Sequence, residues 1–485
     1  MVIQLSEAGR LSSDAQVSSS RPEAVAVFDV GKSNVRLSAV NDTGVTMATL
    51  GRQNSVDSSP PYPHFDVEAL YAWLIDGLAT LVRDFEVSSV VPVTHGACAA
   101  LVDDAGPVLP IMDYEFRGVS DIDSDYDASA RDFARTASPK LPAGLNLGRQ
   151  LFWQQRQFPR EFGRATIVPY PQYWAARLCG VRAWEPTSLG CHTDLWEPRR
   201  GDFSTFARTM RWDSRFGRRV SAWTPLGPPI PEVVAATGLS SECKILAGIH
   251  DSNASYLAHR ATREDPFCVV STGTWIVVMA HGSPLEVLRE ELDTLANVDA
   301  FGNPVPTARF IGGREYTAIC GADTGVTRPP VGDLETILAS GALAIPSFAD
   351  QGGPFRAQVG RIEGNAPDTL RDRAALAAMY CALMTDYCLT MLEAHGDIIL
   401  EGRLASNEAF TSALASLRAP QPMFRSSDQT GTLRGAVSLS LLSRGKNPEP
   451  ARLDLCAPGA VAKLKATRSR WQGLLPTSRR AGPRA

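Results

Sequence analysis

The chain has 485 residues, more than a single hydrophobic core organises, so two large domains, and at most three, are expected. With 44% hydrophobic and 21% charged residues and a net charge of −4, it reads as a globular protein whose slightly acidic balance gives no support to nucleic-acid binding. No apolar run reaches the roughly 18 residues needed to cross a bilayer; the nine cysteines form no CxxC pair and the seven histidines no HExxH spacing, so a cytoplasmic chain with reduced thiols, no membrane partner and no structural zinc is expected.

Residues 1–23 lack the basic start and apolar stretch of a signal peptide and are expected as a disordered lead. "AVAVFDVGKSNVRLSAVNDTGV" then reads as an apolar strand, a turn at Asp29-Val30-Gly31, an alternating strand and a second turn at Asn41-Asp42-Thr43-Gly44. Residues 65–85 carry apolar side chains at helical spacing. "VSSVVPVTHGACAALVDDAG" predicts a strand, a glycine-containing bend, a second strand and a turn. In "ILAGIHDSNASYLAHR" an apolar run stops at a glycine, and a histidine and Asp251 precede a line of small residues. That is a strand end meeting a helix start, where ligands tend to sit in α/β proteins. On local sequence Asp251 reads equally as a helix N-cap or as a base at the mouth of a cleft.

"FCVVSTGTWIVVMAHG" repeats the pattern of the first hairpin, with Thr272-Gly273-Thr274 at its turn. Residues 370–396 predict a long helix, "DIILEG" a strand, and residues 411–445 a helix, a Pro-rich turn, a strand, a loop and a helix. The segment after Cys456 holds Lys463, Lys465, Arg468, Arg470, Arg479, Arg480 and Arg484 and no acid; a solvated end is expected there. The two similar hairpins suggest two related halves with a cleft between them. The expected division is 24–242, 243–455 and a basic tail, 456–485.

The turns have chemistry of their own. Glycine in a tight turn lets backbone N–H groups approach an anion. Asp29 beside such a turn could hold Mg²⁺, usually through water, and Lys32 adds a point charge. Ser271, Thr272, Gly273 and Thr274 offer hydroxyls and N–H groups without charge, which suits a phosphate already neutralised by metal. Neither turn is a Walker A loop, which needs GxxxxGK[ST] opening a helix.

These residues carry a resemblance. Over roughly residues 24 to 450 the chain resembles the FGGY carbohydrate kinases of the actin-like ATPase superfamily. "FDVGKSNVRLSAVNDTG" is similar to their first phosphate motif, "STGTW" to the second, and "AGIHDSNAS" to the segment with the catalytic aspartate. "VTHGACAALVDDAGPVLPIMDYE" resembles the strand pair and acid-bearing loop of their sugar site. "FDVGKSN", "YPHFDVE" and "GIHDSNAS" look most like the bacterial (rhizobial-type) L-rhamnulose kinases. The resemblance implies two actin-like (RNase H-like) α/β domains with an interdomain ATP/sugar cleft. It implies Asp251 as general base, and Asp29, Gly31, Lys32, Ser33, Asn34, Thr272, Gly273 and Thr274 about the phosphates of ATP, with Mg²⁺ placed by Asp29. His95, Asp113, Glu115 and Gln154 are the sugar-site candidates. One departure concerns the glycine cluster where the family binds adenosine: "LEGRLASNEAF" keeps Gly402, and "GTLRGAVSLSL" keeps Gly431 and Gly435.

The function expected is phosphorylation of a ketose in sugar catabolism, with L-rhamnulose first and another ketose or polyol, such as L-fuculose or xylulose, as the alternative. Two readings from other classes are an actin-like ATP switch and a sugar-sensing pseudokinase. A homodimer is the prior for oligomeric state.

Overall fold

The computed structural model describes residues 4–5, 21–129, 131–321, 329–349, 352–356, 358–426, 431–459 and 461–475. The chain forms two compact units: Met1–Glu264 with Ala296–Pro304 and Thr430–Pro450, and Asp265–Leu295 with Val305–Gln429 and Ala451–Ala485.

In the first unit β1 (Glu23–Val30), β2 (Asn34–Val40) and β3 (Thr46–Gln53) form an antiparallel meander. After helix α1 (Val67–Asp84), β4 (Glu86–Thr94) pairs parallel to β1. Next come β5 (Ala99–Asp103), antiparallel to β6 (Thr166–Pro169), and helix α2 (Tyr170–Cys179). Then β7 (Lys244–Leu246) and β8 (Ile249–His250) pair parallel to β4, and β8 runs straight into helix α3 (Asp251–Arg260). Within an eight-stranded sheet these strands therefore lie in the order β3-β2-β1-β4-β7.

Burial explains the unbroken apolar run of β1. Ala24, Ala26 and Phe28 join a core with Leu74 and Leu78 of α1 and Trp174 of α2, while Val25 and Val27 join one with Val91, Val93, Ile249 and Leu257. A strand covered on both faces has no polar side to alternate with. The period of two puts Asp29 on the same face as Val25 and Val27, the face that α3 covers. Gly77 in mid-helix has a packing cause: a Cβ there would meet Leu37 Cδ2 at 2.7 Å.

The second unit repeats the plan. β9 (Phe267–Thr272), β10 (Ile276–Ala280) and β11 (Pro304–Phe310) form an antiparallel meander. After α4 (Gly312–Cys320) and α5 (Leu370–Met391), β12 (Asp397–Gly402) pairs parallel to β9. Helix α6 (Glu408–Arg418) leads to β13 (Met423–Ser426), parallel to β12. The order β11-β10-β9-β12-β13 matches that of the first unit strand for strand. Helix α5 is long and apolar enough to cross a membrane by length and composition, yet most of it is buried inside the protein.

Two segments lie elsewhere than the sequence pattern suggested. The first unit runs to Glu264, past the expected boundary at 242/243, because β7 and β8 pair with β4. Helix α7 (Gly431–Ser443) also returns to the first unit, where it packs along α3. Gly435 makes that contact close: a Cβ there would collide with the Ala254 carbonyl. Residues 461–474, expected as a solvated end, form helix α8 (Val461–Leu474). Its Trp471 is 1% exposed and donates to the Ala344 carbonyl, while Arg468 reaches the buried Asp386. The expected disordered lead, save residues 4–5 and 21–23, and the arginines 479, 480 and 484 lie outside the described residues.

Candidate functional site

The first unit gathers most of the expected residues at the ends of β1, β4 and β8. Asp29 lies one residue before the end of β1. Burial, then the carboxylate of Asp251, push its pKa from 3.8 to about 7, against the pull of Arg36. Two carboxylates that repel each other at a partly buried strand end form a site a cation would relieve, so Asp29 fits the Mg²⁺ expectation. Among the described residues no group of three or more His, Cys, Asp or Glu side chains that could hold a metal ion occurs.

Asp251 is not the helix cap. His250 holds the N-cap position with φ −66 and ψ 139, and Asp251 is the first helical residue. Its Oδ1 accepts from the Ser252 N–H at 2.6 Å and the Ser252 hydroxyl at 3.2 Å, and lies 3.2 Å from His250 Nε2.

His95 follows β4 directly. Its Nδ1 donates to the Gly96 carbonyl at 2.9 Å, which makes Nε2 the bare acceptor. That atom is buried and has no partner among the described residues. Desolvation holds its pKa down at about 4, so the ring is neutral near pH 7. Phe65, Tyr114 and Tyr170 pack around it with ring centroids 5.1–5.3 Å away. A neutral, fixed acceptor of this kind is suited to a hydroxyl donor.

Lys32 is not a free cation on the turn. Its ammonium is ion-paired with Asp113, lies 3.6 Å from Glu115 Oε2, and sits 5.1 Å from the ring centres of both Phe65 and Tyr114. It therefore lies beside Asp113 and Glu115, two of the sugar-site candidates. Asp113 Oδ1 also accepts from the Glu115 N–H at 3.1 Å, and its side chain is buried while that of Glu115 is exposed. Gly31, Ser33 and Asn34 form the expected turn, closed by Gly31 N–H on Asn34 O at 2.9 Å and braced by Asn54 on Gly31 O at 2.8 Å. Gln154 stands apart: its amide donates to the Tyr62 hydroxyl at 2.8 Å, inside a cluster with Trp153, Phe116 and Phe158.

In the second unit Thr272 is buried, and its hydroxyl is spent on the backbone: it donates to Glu401 O at 2.6 Å and accepts from Leu404 N–H at 2.9 Å. Gly273 and Thr274 are exposed at the turn, with Gly273 N–H bonded to Trp275 O at 2.9 Å. Gly402 has φ +83 and leaves no room for a Cβ beside the Thr272 carbonyl, so its glycine is required by backbone proximity. Gly312 and Gly313, missed in the sequence, complete this cluster: Gly313 donates to Thr274 O at 3.1 Å and would strike Gly273 O with any side chain. The pair "GG" after the strand "VPTARFI" was a legible signal of close backbone approach. His250 and Gly96 were missed as well, because only the fold brings them together.

A chain that builds the order 3-2-1-4-5 twice, with parallel later strands and a small-residue turn in each first hairpin, has the two-domain actin-like (RNase H-like) α/β architecture. Residues 264–449 match the family model "Carbohydrate kinase FGGY, C-terminal domain". A carbohydrate kinase from Novosphingobium aromaticivorans is 35% identical, with TM-score 0.86 over 93% of this chain and 98% of that one. The glycerol kinase of Plasmodium falciparum, solved with ADP, shares the fold at TM-score 0.75 and 13% identity, over 94% of this chain and 98% of that one. An L-fuculokinase of Salmonella typhi is 23% identical over 278 residues, which is 55% of this chain and 58% of that protein. The match thus spans little more than half the length of this curated relative. The chain belongs to the FGGY family of carbohydrate kinases.

Proposed function

We propose that the protein phosphorylates a hydroxyl of a ketose at the expense of ATP, with Asp251 as general base. The observation that carries this reading is the grouping, within one unit, of Asp29, Asp251 and the unpartnered His95 Nε2. Phosphoryl transfer needs positioning, charge neutralisation and an acceptor for the hydroxyl proton. Asp251 takes that proton as the sugar oxygen bonds to the γ-phosphorus and the bond to the β–γ bridging oxygen breaks, releasing ADP. His95 Nε2 accepts from a second sugar hydroxyl, and the Lys32–Asp113 pair presents both a donor and an acceptor to the ring. Gly31, Ser33 and Asn34 from the first hairpin, and Gly273 and Thr274 from the second, supply N–H groups and hydroxyls to the phosphates. Asp29 would hold Mg²⁺, which when bound neutralises phosphate charge.

The substrate proposed first is L-rhamnulose, on the resemblance of "FDVGKSN", "YPHFDVE" and "GIHDSNAS". L-Fuculose, also a 6-deoxyketohexose, is the neighbouring choice, supported by the L-fuculokinase similarity. A coupled ADP-release assay over L-rhamnulose, L-fuculose and D-xylulose tests the proposal. Sugar-dependent turnover supports a kinase. ADP release indifferent to sugar would make it a switch or ATPase, and none with any sugar a sensor.

A further inference from the structure

We infer that His250 and Glu185 are positioning residues for Asp251: hydrogen bonds tie Glu185 to Thr187 and Thr187 to the His250 backbone, and the His250 ring stands against the Asp251 carboxylate. The inference rests on the reading of Asp251 as base.

Glu185 is wholly buried, a place where a carboxylate is normally absent unless fully bonded. It caps the short helical turn Pro186–Leu189, accepting from Thr187 N–H at 2.8 Å, Thr187 Oγ1 at 2.6 Å, and the Ser188 N–H and hydroxyl, each at 3.2 Å. Because the Thr187 hydroxyl gives its proton to Glu185, its lone pairs face outward, and one accepts the His250 backbone N–H at 3.2 Å. The backbone of the residue before the base is thereby tied to a buried carboxyl group sixty-odd positions earlier. The ring is held as tightly. Asn253 Nδ2 donates to Nδ1 at 3.0 Å, which puts the ring proton on Nε2. Gly96 leaves space for the ring: a Cβ there would stand 2.8 Å from Nε2. Nε2–H then faces Asp251 Oδ1 at 3.2 Å.

The outcome is a division of labour between the two carboxylate oxygens. Among the described residues the two hydrogen bonds of Asp251, from the Ser252 N–H and hydroxyl, and the approach of His250 Nε2 all fall on Oδ1. Oδ2 is left to take the substrate proton, aimed by a side chain that cannot rotate without breaking three contacts. Held geometry of this kind is worth large factors in rate.

The test uses the full-length protein in the ADP-release assay, with the ketose it turns over. His250→Ala removes the Nε2 donor, whereas His250→Gln returns an N–H at a similar reach. Thr187→Val breaks the chain one link earlier at nearly constant shape, and Thr187→Ser keeps it. The expected result is a fall in kcat of about 10–100-fold for His250→Ala, on the scale at which groups orienting a reactive ligand act. The sugar KM should stay within about threefold, His250→Gln should recover to within about fivefold of wild type, and Thr187→Val should fall while Thr187→Ser holds. Glu185→Gln should fall in kcat with Thr187→Val, and should it fail to fold, the Thr187 pair still decides. An unchanged kcat in His250→Ala, a loss confined to sugar KM, or a His250→Gln no better than His250→Ala would overturn the inference. Asp251→Asn run beside them separates the two failures: if it stays active the base assignment falls, and if it is dead while His250→Ala is active only the positioning chain falls.

Discussion

Replacing Asp251 by Asn changes the least matter for the greatest expected effect. The amide can keep its oxygen at the Oδ1 position, where the carboxylate accepts from Ser252 N–H at 2.6 Å and faces His250 Nε2 at 3.2 Å. Helix α3 loses no cap, because His250 and not residue 251 stands at the cap position. The cost to folding should therefore stay within about 1 kcal/mol, the worth of one weakened hydrogen bond. What is lost is the second oxygen: an NH₂ group, a donor, now stands where a proton must be accepted. General-base contributions of 10²–10⁴-fold correspond to about 3–5 kcal/mol in the barrier. The coupled ADP-release assay should show kcat/KM for the sugar lowered by at least about 100-fold, with the thermal midpoint little changed and sugar binding intact by calorimetry. A variant retaining more than about a tenth of wild-type kcat/KM would refute the base assignment and return Asp251 to a structural role.

The folded Asp29 carboxyl titrates near pH 7 and the unfolded one near 3.8, so between those values the native state keeps a proton that the unfolded chain releases, and stability falls as pH rises through that window. Asp29→Asn removes this loss, bounded by linkage at about 4 kcal/mol; its thermal midpoint in EDTA should exceed wild type at pH 8 and match it near pH 4, and a pH-independent difference would refute the account. Lys32→Met leaves the buried Asp113 without its cation, and should raise the sugar KM more than the ATP KM; the reverse split in steady-state kinetics would return Lys32 to the phosphates. Gly435→Ala drives a methyl into the Ala254 carbonyl and should cost about 1–3 kcal/mol in urea denaturation, with activity falling too because α3 carries Asp251 at its start.

Much of the architecture was legible from neighbouring residues. The run "AVAVFDV" announced a strand buried on two faces, and the small residues at 31 and 273 announced turns. The spacing in 65–85 announced a helix whose cap is Asp66. Such features are decided by period and turn chemistry within a dozen residues. Asp251 was legible as a residue where strand becomes helix, but its two readings were separable only once the backbone showed that His250 takes the cap. Partners far apart in sequence belonged to the tertiary structure alone. Lys32 finds Asp113 across 81 positions, and Gln154 is claimed by Tyr62 across 92. Helix α7 crosses back to the first unit, and Gly96 opens space for His250. The reason is that a side chain's type sets what it can bond, while sheet register and the packing of whole helices set which bonding group arrives within 3 Å of it, and neither register nor packing is written in any local stretch of the chain.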